Sequence, residues 1–381
     1  MKKLFAALIG LAMSASLLFA GGSNEVANED VDTIKAGFVY VGPVGDYGWT
    51  YAHDQGRLFA EQELSWLETV YVESVAEGDA GRIIDRLIMQ EGATVIFTTS
   101  FGYMDDTLAA AAKYPDVIFM HCSGFKQTEN LGTYFGDLYQ AYYLNGMMAG
   151  TLTNTNKLGY VAAFPIPELI RHINAFALGA KAVNPDVEVH VRWTYAWYGP
   201  DKAKEAANSL ISIGVDSLAF TEDTPAVIEV GQEHTENGKQ IYTFSHYSPM
   251  QQYGPDSVVS GQLSDWGIMY VEILNSIKNG TWANEDMWWL MKERATYLGG
   301  NYLSPVNPLF ESALNKTGVL QDILSLYAIM ITKGPEGFDP YEGPIYDNEG
   351  NLQVAEGTRA NKGELLSIMY YVDGVIGSIP E

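Results

Sequence analysis

Residues Ala36 to Arg57 read AGFVYVGPVGDYGWTYAHDQGR. The apolar run Phe38 to Val41 has the composition of a strand. It breaks at a loop carrying Gly42, Pro43, Gly45 and Gly48, and the spacing predicts a helix over Thr50 to Leu64. Strand, glycine-bearing loop and helix in that order is the first unit of an open α/β sheet, where ligands bind at the carboxyl ends of strands. Asp46 and Trp49 sit in that loop. An indole beside an acid and a helix N-terminus suits a flat, polar aromatic molecule.

The rhythm continues outward from this unit. Helix Ala80 to Glu91 places Ile83, Ile84, Leu87 and Ile88 on one stripe and stops at Gly92; strand Thr94 to Thr98, a helix capped by Asp106 and running through Tyr114, and strand Val117 to His121 follow. After the small-residue helix Ala141 to Leu152 the pattern restarts. Strand Lys157 to Ala163, helix Glu168 to Val183, strand Val187 to Trp193, helix Lys202 to Ile213, strand Ser217 to Phe220, helix Ala226 to Asn237 and strands Ile241 to Phe244 and Val258 to Gln262 are expected. Repeated βα alternation implies parallel sheets. Two such series imply two lobes with a cleft between them. Gly334 to Asn351 reads as an ordered loop or hairpin, and Lys362 to Val375 as a closing helix.

Composition bounds the partners. The 381 residues are 47% hydrophobic and carry 47 acidic against 22 basic side chains, a net charge of -25. This length buries a large core in two domains of ordinary size. A nucleic-acid backbone would demand clustered Lys and Arg, so nucleic acid is excluded as a partner. Lys2 and Lys3 precede an apolar run from Leu4 to Phe19 and then small residues, the pattern of an export signal cut near Ala20. The expected location is periplasmic or otherwise extracytoplasmic. No Cys follows the apolar run to carry a lipid, and Cys122, the single cysteine, reads as a small buried apolar residue.

Catalytic and metal motifs are missing. The chain has no Cys pair, His-Glu-x-x-His, Gly-x-Ser-x-Gly or phosphate loop, and its six histidines lack ligand spacing. No cofactor, metal or reaction is expected. The acidic pairs Asp105-Asp106 and Glu222-Asp223 read as a helix cap and as binding groups. What recurs is aromatic residues at strand ends: Trp49 after the first strand, Phe101 and Tyr103 after Val95 to Thr99, Trp197 and Tyr198 beyond Trp193. Trp49 and Trp197 lie on different lobes and are expected to clamp a ring. Stacking a base on an aromatic is worth roughly 1–3 kcal/mol, but it does not choose the ligand. Choice falls to edge hydrogen bonds from groups such as Asp223, Asn174 and Thr50.

The segments VYVGPVGDYGWTYAHDQGR, FPIPELIRHINAFALGAKAVNP (164–185) and TYAWYGPDKAKEAA (194–207), with GPIYDNEGN and the closing YYVDGVIGSIP, resemble the basic membrane protein family of ABC-transporter receptors, which includes a purine nucleoside receptor. The resemblance implies a two-lobed, flytrap-like type I periplasmic-binding-protein fold: an N-terminal lobe over 33–155, a C-terminal lobe over 156–265, and 266–381 completing both. It implies a monomer that hands its ligand to a membrane permease. The family's Asp-x-x-Phe-Asn loop matches Asp46, Trp49 and Thr50, and its stacking Phe before a Pro matches Trp197. The family's ribose-binding Asp and Lys have no counterpart, since His246 or Ser248 stands near the one and Ser264 near the other. Together with Asn174, Thr221-Glu222-Asp223 and Asp265-Trp266 this resembles a branch that binds free bases such as adenine. The expected contacts are Trp49 and Trp197 on the base faces and Asp223, Asn174, Glu222 or Asp265 on its edge, with Phe101, Tyr103 and His246 nearby. A nucleoside or sugar receptor, or an exported nucleoside hydrolase or phosphorylase, is the competing reading.

Overall fold

The computed structural model describes residues 33–300 and 304–380; the expected export signal lies outside them. From the first described residues the chain alternates strand and helix: β1 (Ile34–Val39), α1 (Trp49–Glu63), β2 (Leu67–Val72), α2 (Ala80–Met89), β3 (Val95–Thr98), α3 (Met104–Lys113), β4 (Ile118–Cys122) and β5 (Leu131–Gly136). It then changes lobe through α4 (Tyr139–Leu152) and alternates again: β6 (Lys157–Ala162), α5 (Pro167–Val183), β7 (Glu188–Trp193), α6 (Pro200–Ser212), β8 (Ser217–Thr221), α7 (Ala226–Glu236), β9 (Tyr242–Tyr247) and β10 (Val258–Ser264). Helix α8 (Trp266–Lys278) and β11 (Asp286–Trp289) return to the first lobe. The chain ends on the second with β12 (Thr296–Leu298), α9 (Pro308–Lys316), α10 (Val319–Lys333), the hairpin β13 (Ile345–Tyr346) and β14 (Leu352–Val354), α11 (Lys362–Leu366) and β15 (Val375–Ile376).

The first sheet runs β11-β5-β4-β3-β1-β2 with every pair parallel, and the second runs β12-β10-β9-β8-β6-β7-β15, parallel except for β10 with β12. Helices cover both faces, so central strands such as β3 and β8 are buried at every residue. In each sheet the strand order reverses direction once, at β1/β3 in the first and at β6/β8 in the second. At such a switch point the loops leaving neighbouring strands diverge and open a crevice. The two crevices face each other.

Helix α4 packs against α5 of the second lobe, so the chain changes lobe near Asp137 rather than at 155. Glycines make the approach possible. A Cβ on Gly146 would stand 2.1 Å from the Phe176 carbonyl oxygen, and one on Gly179 would stand 1.9 Å from that of Tyr143. Gly179→Ala is therefore expected to destabilise the second lobe by about 1–3 kcal/mol or more through overpacking, read as a lower denaturation midpoint in urea.

Two further expectations change. Asp106 does not cap its own helix; its Oδ2 accepts from the Gly81 amide at 2.9 Å and so caps α2. The closing helix stops at Leu366 because the chain beyond it is bound elsewhere. Tyr370 and Val372 hydrogen-bond the Asn174 side chain, and Val375 and Ile376 pair with β7 as its outer neighbour. The 334–351 segment is an ordered loop that runs into the first strand and turn of the β13–β14 hairpin, with Asp347 knitting its turn. No helix among the described residues is long and apolar enough to cross a membrane.

Three strands of chain join the lobes, at 136–139, 264–266 and 289–296. Asp137 sits in the first of them, fully buried. It accepts from Arg171 Nε at 2.7 Å and from Trp288 Nε1 at 3.0 Å, with His172 Nε2 at 3.1 Å. Burial alone would raise its pKa, but the Arg171 guanidinium and the His172 contact outweigh burial and hold it below the ordinary carboxylate range.

Candidate functional site

The loops from the two switch points border a cleft whose empty space, open solvent included, is about 290 Å³. From the first lobe Val41 and Trp49 come off the end of β1, Ser100 and Phe101 off β3, and Ser123 off β4. From the second lobe come Glu168 after β6, Trp197 after β7, Asp223 after β8 and Tyr247 at the end of β9.

Asp46 builds the first wall. Its carboxylate accepts from the amides of Gly48 at 2.8 Å, Thr50 at 3.2 Å and Tyr51 at 3.0 Å, capping the N-terminus of α1 and fixing Trp49. Burial raises its pKa to about 6 against these amide donors. Thr50 Oγ1 accepts from the Gly42 amide at 3.0 Å, tying the loop to its own start. Trp49 is locked in turn. Its Nε1 donates to the Thr99 carbonyl, and its ring meets those of His53, Tyr247 and Trp266 edge to face at 4.4, 5.0 and 5.2 Å. On the second lobe, Trp197 packs on Phe164 with ring centres 5.0 Å apart.

The jaws are shut. Trp197 Nε1 reaches Glu77 Oε1 of the first lobe at 3.3 Å, and Glu77 also accepts from Ser100 Oγ at 2.6 Å. Ser248 Oγ donates to the Tyr47 carbonyl, Lys362 Nζ pairs with Asp286 at 2.6 Å, and the Trp49 amide donates to Asp223. At the tightest point a Cβ on Gly48 would lie 2.5 Å from Asp223 Cα. Tyr47, Ser123, Tyr195 and Tyr247, in the strand-end loops around the cleft, all have φ between 53° and 60°. Left-handed backbone at non-glycine residues is rare and clusters at ligand sites.

The electrostatics are those of neutral acids. Burial pushes Glu168 up to about 8 and Asp223 well above its ordinary value, the latter helped by the nearby Asp46 and Glu222 charges. No Lys, Arg or His is among the described residues lining the cavity. An anionic ligand therefore finds no counter-charge there, whereas a neutral ring presenting donors and acceptors meets protonated carboxyls that do both.

Several residues expected at the ligand stand elsewhere. Tyr103 is buried in the first lobe, its hydroxyl donating to the Val75 carbonyl at 2.6 Å. Asn174 is consumed by the C-terminal segment, donating to the Tyr370 carbonyl at 2.8 Å and accepting from the Val372 amide at 3.0 Å. His246 lies buried behind the cavity wall, its Nδ1 3.1 Å from the Tyr142 hydroxyl and 3.2 Å from Gln262 Nε2. Asp265 precedes α8 on a crossover and borders a different hollow, beside Tyr51 and Phe59. Glu222 points away from the cavity, its Oε1 accepting from Thr194 Oγ1 and its Oε2 buried without a partner. Five lining residues were missed: Val41, Ser100, Ser123, Glu168 and Tyr247. Glu168 and Tyr247 stand where β6 and β9 meet the cleft, and that strand-end rule alone would have found them.

Burial raises Glu222 to about 8, with the Thr194 bond opposing. The native state thus keeps a proton that the unfolded chain has already released above its ordinary value of 4.5. This stabilising contribution is complete below about pH 4.5 and is lost as pH rises to about 8. Glu222→Gln is expected to leave the Tm unchanged at pH 4.5 and to raise it by a few degrees at pH 8, as scanning calorimetry at the two pH values would read.

A family profile described as ABC transporter substrate-binding protein PnrA-like matches residues 33–314. The chain belongs to that family. A purine-binding protein of Brucella abortus is 36% identical over 92% of this chain and 95% of its own length. A putative ABC transporter glucose-binding protein of Haloferax volcanii is 38% identical over 78% of this chain and 75% of its own. An ABC transporter solute-binding protein of Aeropyrum pernix, 17% identical, superposes with a TM-score of 0.69 over 78% of this chain and 91% of that one, and shares the fold. As a family member this chain is a substrate-binding receptor and not an enzyme. Such receptors work outside the cytoplasm, hold a small molecule and pair with a membrane permease.

Proposed function

We propose that this receptor captures a free purine base, adenine-like in its edge, between Trp49 and Trp197, and delivers it to its permease by opening the hinge at Asp137. The observation that carries the reading is the lining of the cleft: an indole from each lobe, and acids that burial keeps protonated. Asp223, which touches both the Trp49 amide and the cavity, reads the edge of the base. The purine-binding relative supports this choice, while the putative glucose-binding relative makes a sugar the reading to test against. The lining favours the purine, because two broad indole faces and uncharged carboxyls suit a flat heterocycle.

Calorimetric titration of the ligand-stripped mature protein with adenine, hypoxanthine, guanine, adenosine and glucose tests this. Stripping removes ligand retained through purification. The expected result is tight binding of a free base with weaker adenosine and no glucose heat. Adenosine tighter than every base would restore the nucleoside reading, and heat with glucose alone would replace both.

A further inference from the structure

The charged groups around the cleft are matched with partners, with one exception. Asp46 is capped by three amides, Glu77 holds Ser100, Asp137 holds Arg171, Asp223 accepts from Trp49, and Lys362 pairs with Asp286. Glu168, in the first turn of α5 and 9% exposed, has no hydrogen bond or ion pair with any described residue. Its oxygens, unlike Glu222 Oε2, are not sealed inside the protein; a nearly buried carboxyl that meets the cleft with no protein partner is open to a partner from outside.

Its position says which. Glu168 lines the purine cavity and also a larger side chamber of about 1080 Å³, including space open to solvent, which Phe101 and Ser123 share with it. It stands at the neck between the two. The groups facing it are Arg171 one turn along its helix, Asp137 from the crossover, Asp223 across the cavity, and the buried Tyr142, Tyr160, Tyr247 and Cys122, each of which feels its charge. Lys362 lies on the far wall of the chamber and is already paired. Burial, helped by the Asp137 charge, outweighs the Arg171 guanidinium and raises Glu168 to about 8. A protonated carboxyl sets an O–H donor beside a carbonyl acceptor, the complement of a ring nitrogen next to an amino or ring N–H group.

We propose that Glu168 is a specificity-determining residue of this site, hydrogen-bonding the edge of the base that faces the side chamber and selecting neutral heterocycles with an acceptor and a donor on adjacent atoms. The inference rests on the purine reading above. A ligand lacking that pair leaves the carboxyl buried and unsatisfied, which is how a polar site rejects a near-isostere.

The test is calorimetry at pH 7 with adenine on the wild type, Glu168→Gln and Glu168→Ala, with the Tm of each variant as a fold control. The amide preserves the donor and acceptor, so Glu168→Gln is expected to bind within about threefold of wild type, and Glu168→Ala about tenfold or more weakly. Between pH 7 and 9 wild-type affinity falls as Glu168 ionises, and the glutamine variant falls less; this slope decides the matter even where the alanine variant does not fold. Equal binding by wild type and Glu168→Ala overturns this inference alone. Glutamine as weak as alanine overturns the neutral donor–acceptor role. A wild type that binds no purine overturns the purine reading and this inference with it.

Discussion

Trp197→Ala is expected to lower adenine affinity by about tenfold to a hundredfold while the Tm of the ligand-free protein stays close to wild type. The size follows from stacking, roughly 1–3 kcal/mol per base on an aromatic face. The selectivity follows from position: Trp197 lies in a loop between β7 and α6, packs on Phe164 alone among the rings of its own lobe within 5.0 Å, and contributes otherwise to closure through Glu77. Removing it takes away a cavity wall and a latch but little core. Trp49→Ala is a poorer probe, since three buried rings lean on that indole and the fold would suffer with the affinity. Calorimetry with a paired thermal scan separates the two effects, and unchanged affinity in Trp197→Ala would dismiss the clamp.

Gly48→Val is expected to abolish closure. The Cβ would enter the space 2.5 Å from Asp223 Cα and 2.8 Å from its carbonyl carbon, both backbone atoms of the opposite lobe that cannot move aside singly. Each lobe keeps its own core, so the variant folds, yet the two faces of the site no longer come within reach of one ligand. Affinity falls by a hundredfold or more, because a ligand held by one lobe makes about half the contacts. Small-angle scattering checks this directly: adenine is expected to shrink the radius of gyration of the wild type and leave that of Gly48→Val unchanged. Shrinkage in both would mean that the lobes close by a different approach.

The parts legible in sequence are those fixed by local pattern. The alternation from β1 to β10 follows apolar runs and stop glycines, and every strand named from them is present within a few residues. The loop holding Asp46 and Trp49 was readable because its cap, indole and glycines lie within four residues of one another. Edge elements escaped, β2 with its half-exposed residues and the short β11 and β12 defined by pairing across a crossover, and so did the inner strand β5, whose apolar run is broken by Gly132 and Gly136.

The site was read less well, for a physical reason. A polar residue's role depends on which partner claims it, and those partners are distant in the chain. Asn174 is claimed by Tyr370 and Val372, nearly two hundred residues on, and His246 by Tyr142 and Gln262. Glu168 presents the converse case, a residue made conspicuous only by what does not reach it. Trp197 and Asp223 stand in one cavity with Trp49 because the switch points of two sheets face each other, and the strand-end rule sees this where composition does not.

The most direct measurement is a crystal structure grown from stripped protein with adenine. The base is expected in the cavity between Trp49 and Trp197, its edge on Asp223, with the lobes closed across Gly48. Adenine seated in the side chamber, or in the cleft with its ring against neither indole, would contradict that placement.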